Sequence, residues 1–364
     1  MSDIVKGIMG GGWTLLVGWF LPAAVNVLLL AYVVLPASEA EALLTSLDRA
    51  GVNRDLAVAG AGVLLGVLLA SVQTPLYRIL EGYIGWRPQA AARRALPRWV
   101  PSLSLTRWQE RQVSRRNQLL GRRDLLELTE LEAGGTLDAD DVARLRELRA
   151  DDTLRRFFVE DSRRSAAQRN LLDEKLQRYP VDEQQIVPTR LGNAIRRFEE
   201  YGYDRYRLDS QRMWNDLTAT APERAAKQVE QARTTVDLLI CLLYGHLIVG
   251  AVALGTIPIA VADHEWLLAA VGAGLLLLAR IWYEVAIRST DDWAAAVRSL
   301  VNLGRKPLAE ALALDLPETI EQERQMWGLV ATLTARPYHR GRRAALDQFR
   351  TRSGAGGSQP PRTP

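Results

Sequence analysis

Cysteine and histidine are almost absent from this 364-residue chain, which has one cysteine, Cys241, and three scattered histidines. One cysteine cannot form an intrachain disulfide, and such a composition offers no zinc site of the usual Cys/His type within one chain. Phosphate-binding loops, HExxH, a serine nucleophile elbow and CxxC are also missing from the sequence. We therefore expect no catalytic, cofactor-binding or metal-binding residues and no cofactor, which argues against an enzyme without excluding one.

Lysine is scarce, since it fills only four of the 46 basic positions, and arginine fills the rest. Together with abundant alanine, leucine and glycine, this bias predicts a GC-rich bacterial source. Strand-type alternation of useful length is lacking as well, so the sequence predicts an all-α protein.

Charge is nearly absent from four long apolar runs, at residues 13–36, 56–77, 238–262 and 266–287. A helix of roughly 20 apolar residues spans a bilayer core, so we predict four transmembrane helices. Buried helices of a soluble core would be shorter. A cleaved signal peptide is the other interpretation of the first run, but its apolar part exceeds the usual length of about 7–15 residues and no convincing cleavage site follows.

The loops between these runs differ in charge, which predicts their side of the membrane. Residues 86–123 hold ten arginines against the single acid Glu110, whereas residues 36–55 and 263–265 lean acidic. By the positive-inside rule the middle block and both termini face the cytoplasm. The predicted order is a transmembrane hairpin (1–83), a cytoplasmic helical domain with a basic juxtamembrane start (84–234), a second hairpin (235–288), cytoplasmic helices (289–352) and a disordered tail (353–364).

Arginine and tryptophan occur together in the basic start of the middle block. This composition suits a segment that lies on a bilayer with anionic head groups. Nucleic acid is the rival partner, because arginines attract any polyanion. The neighbouring membrane helix favours lipid, so we expect no nucleic acid.

Two Arg–Glu pairs stand at the ends of predicted membrane helices. Arg280 and Glu284 are four residues apart, and Arg78 and Glu81 three, so each pair lies on one helix face. Such pairs either line an ion path or neutralise each other while the arginine reaches the head groups. We favour self-neutralised pairs.

Polar groups deep in the predicted spans are few. Asn26 shares a helix face with Gly18 and Pro22, and His246 lies well inside the third run. An isolated membrane histidine is either a proton or ligand site or, more often, bonded across helices. Small residues recur at spacing four and allow close helix packing, within or between chains, at Gly62, Gly66 and Ala70 and at Ala270 and Gly274.

The stretch 188–217 is the most motif-like part of the chain. Leu191, Ile195 and Phe198 predict one buried helix face. Thr189 is expected to cap the start of that helix, Gly202 to end it, and Asp209 to cap the next helix. A polar recognition site is the alternative role, with candidate motif residues Thr189, Arg190, Asn193, Arg205, Asp209 and Trp214.

The segments PTRLGN (188–193) and RYRLD (205–209), with Trp214 five residues later, resemble a recurring pattern in uncharacterised bacterial integral membrane proteins. LGRKPLAEALALDLPETIEQERQMW (303–327) resembles their C-terminal pattern. Those proteins have an aspartate and a histidine before the arginine that matches Arg305, where this chain has Leu303 and Gly304. The resemblance implies the membrane topology and no activity.

The function expected from the sequence is a non-enzymatic, oligomeric membrane scaffold or sensor. Its cytoplasmic helices would bind another protein or a signal, and the location would be the bacterial cell membrane. The first alternative is an ion channel, by analogy with the topology of bestrophin-type anion channels. The second is a lipid-acting membrane enzyme that uses Arg190, Asn193, Asp209 and Glu284.

Overall fold

The computed structural model describes residues 12–49, 51–82, 105–155, 162–261, 263–335 and 345–350. Helix makes up 81% of it, and no strand forms in these ranges beyond two isolated bridges. The predicted all-α class is confirmed. The predicted tail and the first half of the basic juxtamembrane start, residues 86–104, lie outside the described residues.

The helices are numbered here in chain order. They are α1 (Gly12–Val34), α2 (Glu41–Arg49), α3 (Arg54–Ser71), α4 (Gln73–Leu80), α5 (Leu105–Ala133), α6 (Ala139–Ala150), α7 (Asp152–Arg155), α8 (Ser162–Leu176), α9 (Arg190–Glu199), α10 (Tyr201–Tyr206), α11 (Trp214–Thr220), α12 (Glu223–Gly255), α13 (Glu265–Ala311) and α14 (Ile320–Ala335). Two 3₁₀ turns lie at Glu183–Gln185 and Ile257–Ile259.

Four of these helices, α1, α3, α12 and α13, are long and apolar enough to cross a membrane. They correspond to the four apolar runs of the sequence, so the predicted number of candidate spans is confirmed by helix length and hydropathy. The first of them is irregular, because π-helical turns at Leu16–Phe20 and Leu30–Val34 flank its α-helical middle.

Two predicted span ends were wrong, and proline explains both. The second run breaks at Val72 (φ −100°, ψ 15°) instead of continuing to residue 77. The break places Pro75 in the first turn of α4, where a missing N–H costs no intrahelical bond. The third run ends at Gly255 instead of residue 262, because Pro258 follows within a 3₁₀ turn.

Helices α12 and α13 extend far beyond their apolar parts. Helix α12 has 33 residues, and its polar first half contains no glycine or proline. Helix α13 has 47 residues; it continues through Gly304 and Pro307 and ends at Ala311. A Cβ at residue 304 would lie 2.9 Å from Leu217 Cδ1, so Gly304 serves close packing and not termination.

The chain divides into two compact units that cut across the predicted segments. The first holds the described residues up to Arg197 together with Gln231–Asp292. The second holds Phe198–Glu230 and the described residues from Trp293 onward. The predicted middle block, 84–234, contributes to both.

In the first unit the membrane-type helices pack through small residues. Trp19, Ala23 and Cys241 form a buried cluster of α1 and α12, and the side of α3 contacts α1 where a Cβ at Gly62 would lie 3.2 Å from Ala24 Cα. Leucines of α5 pack separately against α6, α7 and α8. Between these helices, Gly135 (φ 67°) follows the end of α5, and Asp138 caps α6 by accepting the Asp141 N–H.

Candidate functional site

Glu284 of α13 holds two arginines, one of which was not predicted as its partner. Arg280 donates to Glu284 Oε1 from one turn earlier, so the pair expected from spacing forms. In addition, Nη1 of Arg190 lies 2.7 Å from each carboxylate oxygen of Glu284. The Arg280 side chain is 61% exposed and that of Arg190 only 26%, so the α9 arginine is the better shielded partner.

A second ion pair lies on the same face of α13. Arg178, just after α8, donates from Nε to Asp291 Oδ1 over 2.9 Å and also contacts Glu174. Asp291 follows Glu284 by seven residues, with Ile287 between them, so all three lie along one helix face. We call Arg178, Arg190, Glu284 and Asp291 the polar junction. It ties α8 and α9 to the last part of the fourth candidate span.

The segment before α9 is held by one buried amide. Asn193 has no exposed surface; its Oδ1 accepts the Val187 N–H at 2.8 Å, and its Nδ2 donates to the carbonyls of Val187 (2.9 Å) and Thr189 (2.8 Å). Thr189 Oγ1 accepts the Gly192 N–H at 3.1 Å, which is the predicted N-cap bond. Asn193 therefore fixes the loop that positions Arg190, and both N–H groups of its buried amide are used within this loop.

The start of α9 also touches the end of α4. A Cβ at Gly192 would lie 2.4 Å from the Glu81 carbonyl oxygen, so only glycine fits there. Burial raises the pKa of the Glu81 carboxyl, while the charges of Arg78 and Arg196 act in the opposite direction. Arg78 is exposed and does not form with Glu81 the tight pair that Arg280 forms with Glu284.

Asn26 is buried within the chain, with 1% of its surface exposed. Its Nδ2 donates to the Pro22 carbonyl at 2.7 Å, and its side chain packs on Gly245 of α12, where a Cβ would be 2.1 Å away. Gly18 of the predicted stripe also meets α12, since a Cβ there would lie 3.3 Å from Asp237 Cβ. The Gly18–Pro22–Asn26 face is thus the α1–α12 contact.

His246 is also buried, at 5% exposure. Its Nδ1 lies 2.8 Å from the Leu242 carbonyl in its own helix, so this bond is not the cross-helix bond that we favoured from the sequence. Its contact across helices is an edge-to-face arrangement with Trp282 of α13, with ring centroids 6.2 Å apart.

A buried tyrosine–carboxylate pair was missed from the sequence. Tyr77 of α4 donates to Asp237 Oδ1 of α12 over 2.7 Å, and both residues are less than a tenth exposed. Arg233 approaches the other carboxylate oxygen at 3.9 Å. Asp237 immediately precedes the predicted third span. The one sign of this pair in the sequence is a single carboxylate within a long stretch that contains no glycine or proline.

In the second unit, two of the motif-like stretches come together. The Arg324 guanidinium donates to the backbone carbonyls of Asp204 and Arg205 at 2.6 and 2.7 Å. The Tyr206 hydroxyl donates to Asn302 Oδ1 at 2.9 Å, and the Arg305 guanidinium lies 4.4 Å from the Tyr206 ring centre.

Arg305 is further held by a buried carboxylate. It forms an ion pair with Glu323, which is 3% exposed and also accepts the indole N–H of the fully buried Trp327 at 3.1 Å. Polar residues of the two motif-like stretches thus contact one another inside the second unit.

The remaining motif residues have structural positions. Asp209 accepts the Arg212 N–H at 3.2 Å and so caps the turn before α11 rather than α11 itself, which begins at Trp214. The prediction that Gly202 ends a helix was wrong, because Gly202 lies inside α10. This helix ends at Tyr206 and is followed by Arg207 with φ 61°. A Cβ at Gly202 would lie 2.9 Å from the Leu208 carbonyl oxygen, which explains the glycine. Leu191, Ile195 and Phe198 are buried, which confirms the predicted face.

The charged side chains of these clusters pair with one another or with backbone groups. In the described part of the chain, no group of three or more His, Cys, Asp or Glu side chains is arranged to hold a metal ion. The chain has no match among family models, curated proteins or solved structures.

Proposed function

We propose that this chain is a multi-pass membrane scaffold or sensor of the bacterial cell membrane. In this proposal the four candidate spans form two hairpins, and the helices between and after them lie in the cytoplasm with both termini. The protein acts as a homo-oligomer whose cytoplasmic helices bind another protein.

The polar junction is the observation that supports this function best. Arg190–Glu284 and Arg178–Asp291 connect two helices outside the apolar runs to one face of the fourth candidate span. A ligand or protein that displaces α8 or α9 would act on α13 through these two ion pairs. A sensor of this kind would need a second arrangement in which the two ion pairs are broken, so that a local event passes along the helix.

The channel alternative finds less support in the same structure. Asn26 and His246, the residues expected to line a pore, are covered by neighbouring helices of their own chain. The lipid-enzyme alternative needs free acid–base groups. Arg190 and Glu284 instead neutralise each other, and Asn193 is buried with both of its amide N–H groups bonded to backbone carbonyls.

We also propose membership in the family of bacterial membrane proteins that the two sequence patterns resemble. Support comes from the second unit, where RYRLD and ERQMW meet through Arg324, and where Arg305 of the later pattern stacks on Tyr206 of the earlier one.

Co-purification tests the scaffold or sensor. The tagged full chain, a deletion of residues 111–183 and the variant Arg190→Gln/Arg178→Gln are isolated from native membranes, with Arg280→Gln as a control that removes an exposed arginine from Glu284. We expect a partner that copurifies with the full chain and the control to be lost with the deletion and reduced with the double variant. An unchanged set of copurifying proteins in all four samples would contradict the proposal. A ring of four or more chains that conducts ions in liposomes would favour the channel.

A further inference from the structure

A basic pocket opens beside the polar junction in the first unit. Its volume is about 260 Å³, and five cationic side chains line it: Arg115, Arg122, Lys175, Arg178 and Arg190. The other described residues that line it are neutral, and they include Tyr179 and Ile287. No acidic side chain among the described residues lines this pocket, so the groups that face its interior are cationic or neutral.

The cations differ in how far the protein already satisfies them. Asp291 and Glu174 hold Arg178, and Glu284 holds Arg190. Arg115 and Lys175 are exposed, and neither has an ion-pair partner among the described residues. These two charges, from α5 and the last turn of α8, are therefore available to an anion from outside.

The paired arginines keep donors for a ligand too. Glu284 engages Arg190 through Nη1, and a guanidinium has five N–H donors, so an ion pair on one nitrogen leaves others. The carboxylates behind Arg178 and Arg190 fix both side chains in place. An anion entering the pocket would thus meet a pre-organised set of charged donors, and such charge-assisted bonds are the stronger ones.

The size and position of the pocket restrict the anion. Its volume lies just below the roughly 300–1,000 Å³ typical of sites for drug-sized ligands, which suits a compact group. Ile287, which lines it, is where the sequence places the end of the fourth apolar run. Guanidinium groups fit the oxygens of phosphate in a bidentate manner.

We propose that this pocket binds a phosphate group, carried either by the head group of an anionic lipid or by a small soluble phosphate. The inference names the signal of the proposed sensor and so rests on that function. Occupancy of the pocket would place negative charge against Arg190 and Arg178. That charge would repel the Glu284 and Asp291 carboxylates that hold the same guanidinium groups, and it would so loosen α13 from α8 and α9.

The test removes the two available charges and no paired one. Arg115→Gln/Lys175→Gln is compared with the full wild-type chain and with Arg144→Gln/Arg146→Gln, which removes two exposed charges from α6 outside the pocket. In one arm, calorimetry measures the binding of inorganic pyrophosphate to each protein in phosphatidylcholine nanodiscs. In the other arm, native mass spectrometry counts phosphatidylglycerol retained from an equal mixture with phosphatidylcholine.

In at least one arm we expect wild type and control to bind alike and the pocket variant to bind about tenfold more weakly, since charged hydrogen bonds are lost. The arm in which this happens identifies the source of the phosphate. Equal binding by the pocket variant and wild type in both arms, or no binding by wild type in either, would overturn the proposal. If the pocket binds the anion but the anion does not change which proteins copurify with the wild-type chain, the phosphate site stands and the sensor function is contradicted.

Discussion

At the residue scale, Asn193 offers a test of how the loop before α9 is held. Asn193→Asp keeps the acceptor for the Val187 N–H but replaces the donor to two carbonyls by a second acceptor. We expect a loss of about 3 kcal/mol in stability, because a buried amide network loses its donors and gains a charge. Thermal unfolding in detergent measures it, with exposed Asn215→Asp as the control. Equal thermal unfolding midpoints for the two variants would contradict the proposed role of Asn193 in holding this loop.

Glu81 should make stability depend on pH. Burial raises the pKa of its carboxyl above the ordinary 4.5, so the folded state disfavours the ionised form. The penalty is complete above the raised pKa and disappears as pH falls below the ordinary value. Glu81→Gln should therefore raise the unfolding midpoint near pH 7, and its advantage should vanish towards about pH 4. A pH-independent difference between variant and wild type would refute this account.

Some residue roles were accessible from the sequence because they depend on local spacing. The Thr189 cap and the Arg280–Glu284 pair each involve residues three or four positions apart. Arg190 reaches Glu284 across 94 positions, and no local pattern carries that information. Gly202 and Gly304 show another limit. The sequence does not distinguish a glycine that ends a helix from a glycine that allows a neighbouring segment to pack closely.

At the element scale, the packing of α12 on α13 depends on glycines other than the predicted ones. A Cβ at Gly272 would lie 2.6 Å from Leu254 Cγ and 3.1 Å from the Gly250 carbonyl oxygen, whereas Gly274 has nothing within 4 Å. Helical spacing identified small residues in α13 but not the face of this helix that packs on α12. Which face packs depends on the position of the neighbouring helix, and the spacing does not contain that information.

Two alanine variants check this assignment. Gly272→Ala should cost about 1–3 kcal/mol by overpacking, while Gly274→Ala should be neutral or slightly stabilising, because alanine favours helix over glycine. Thermal midpoints of the two proteins in the same detergent give the comparison. If Gly274→Ala were the more damaging change, the α12–α13 contact described here would be incorrect.

At the scale of the whole molecule, the proposed topology can be tested by thiol labelling. The native Cys241 is fully buried against the Trp19 carbonyl and should therefore not be labelled. An impermeant maleimide applied to intact cells should label His264→Cys, between α12 and α13, and should reach Arg146→Cys of α6 only after permeabilisation. Labelling of both sites from outside would rule out the proposed arrangement of hairpins and cytoplasmic helices.

Hydropathy was sufficient to find the four candidate spans, because apolar length is a property of one segment at a time. The division into two compact units was not predicted, since it cuts through α9, α12 and α13 and depends on distant contacts. The share of each span buried by the chain itself also varies, from 17% for α3 to 50% for α12. Sequence hydropathy does not distinguish surfaces that meet lipid from those that meet another helix.

The π-helical turns of α1 have a consequence for how this helix tolerates insertions and deletions. A π turn holds one residue more than an α turn, and each residue turns an α-helix by about 100°. Removing one residue from Leu16–Phe20 would convert the wide turn into an ordinary one and leave both flanks facing their present neighbours. The same deletion within Leu21–Leu29 would rotate Asn26 away from Gly245. The two wide turns are therefore the places where α1 can lose a residue without losing its register.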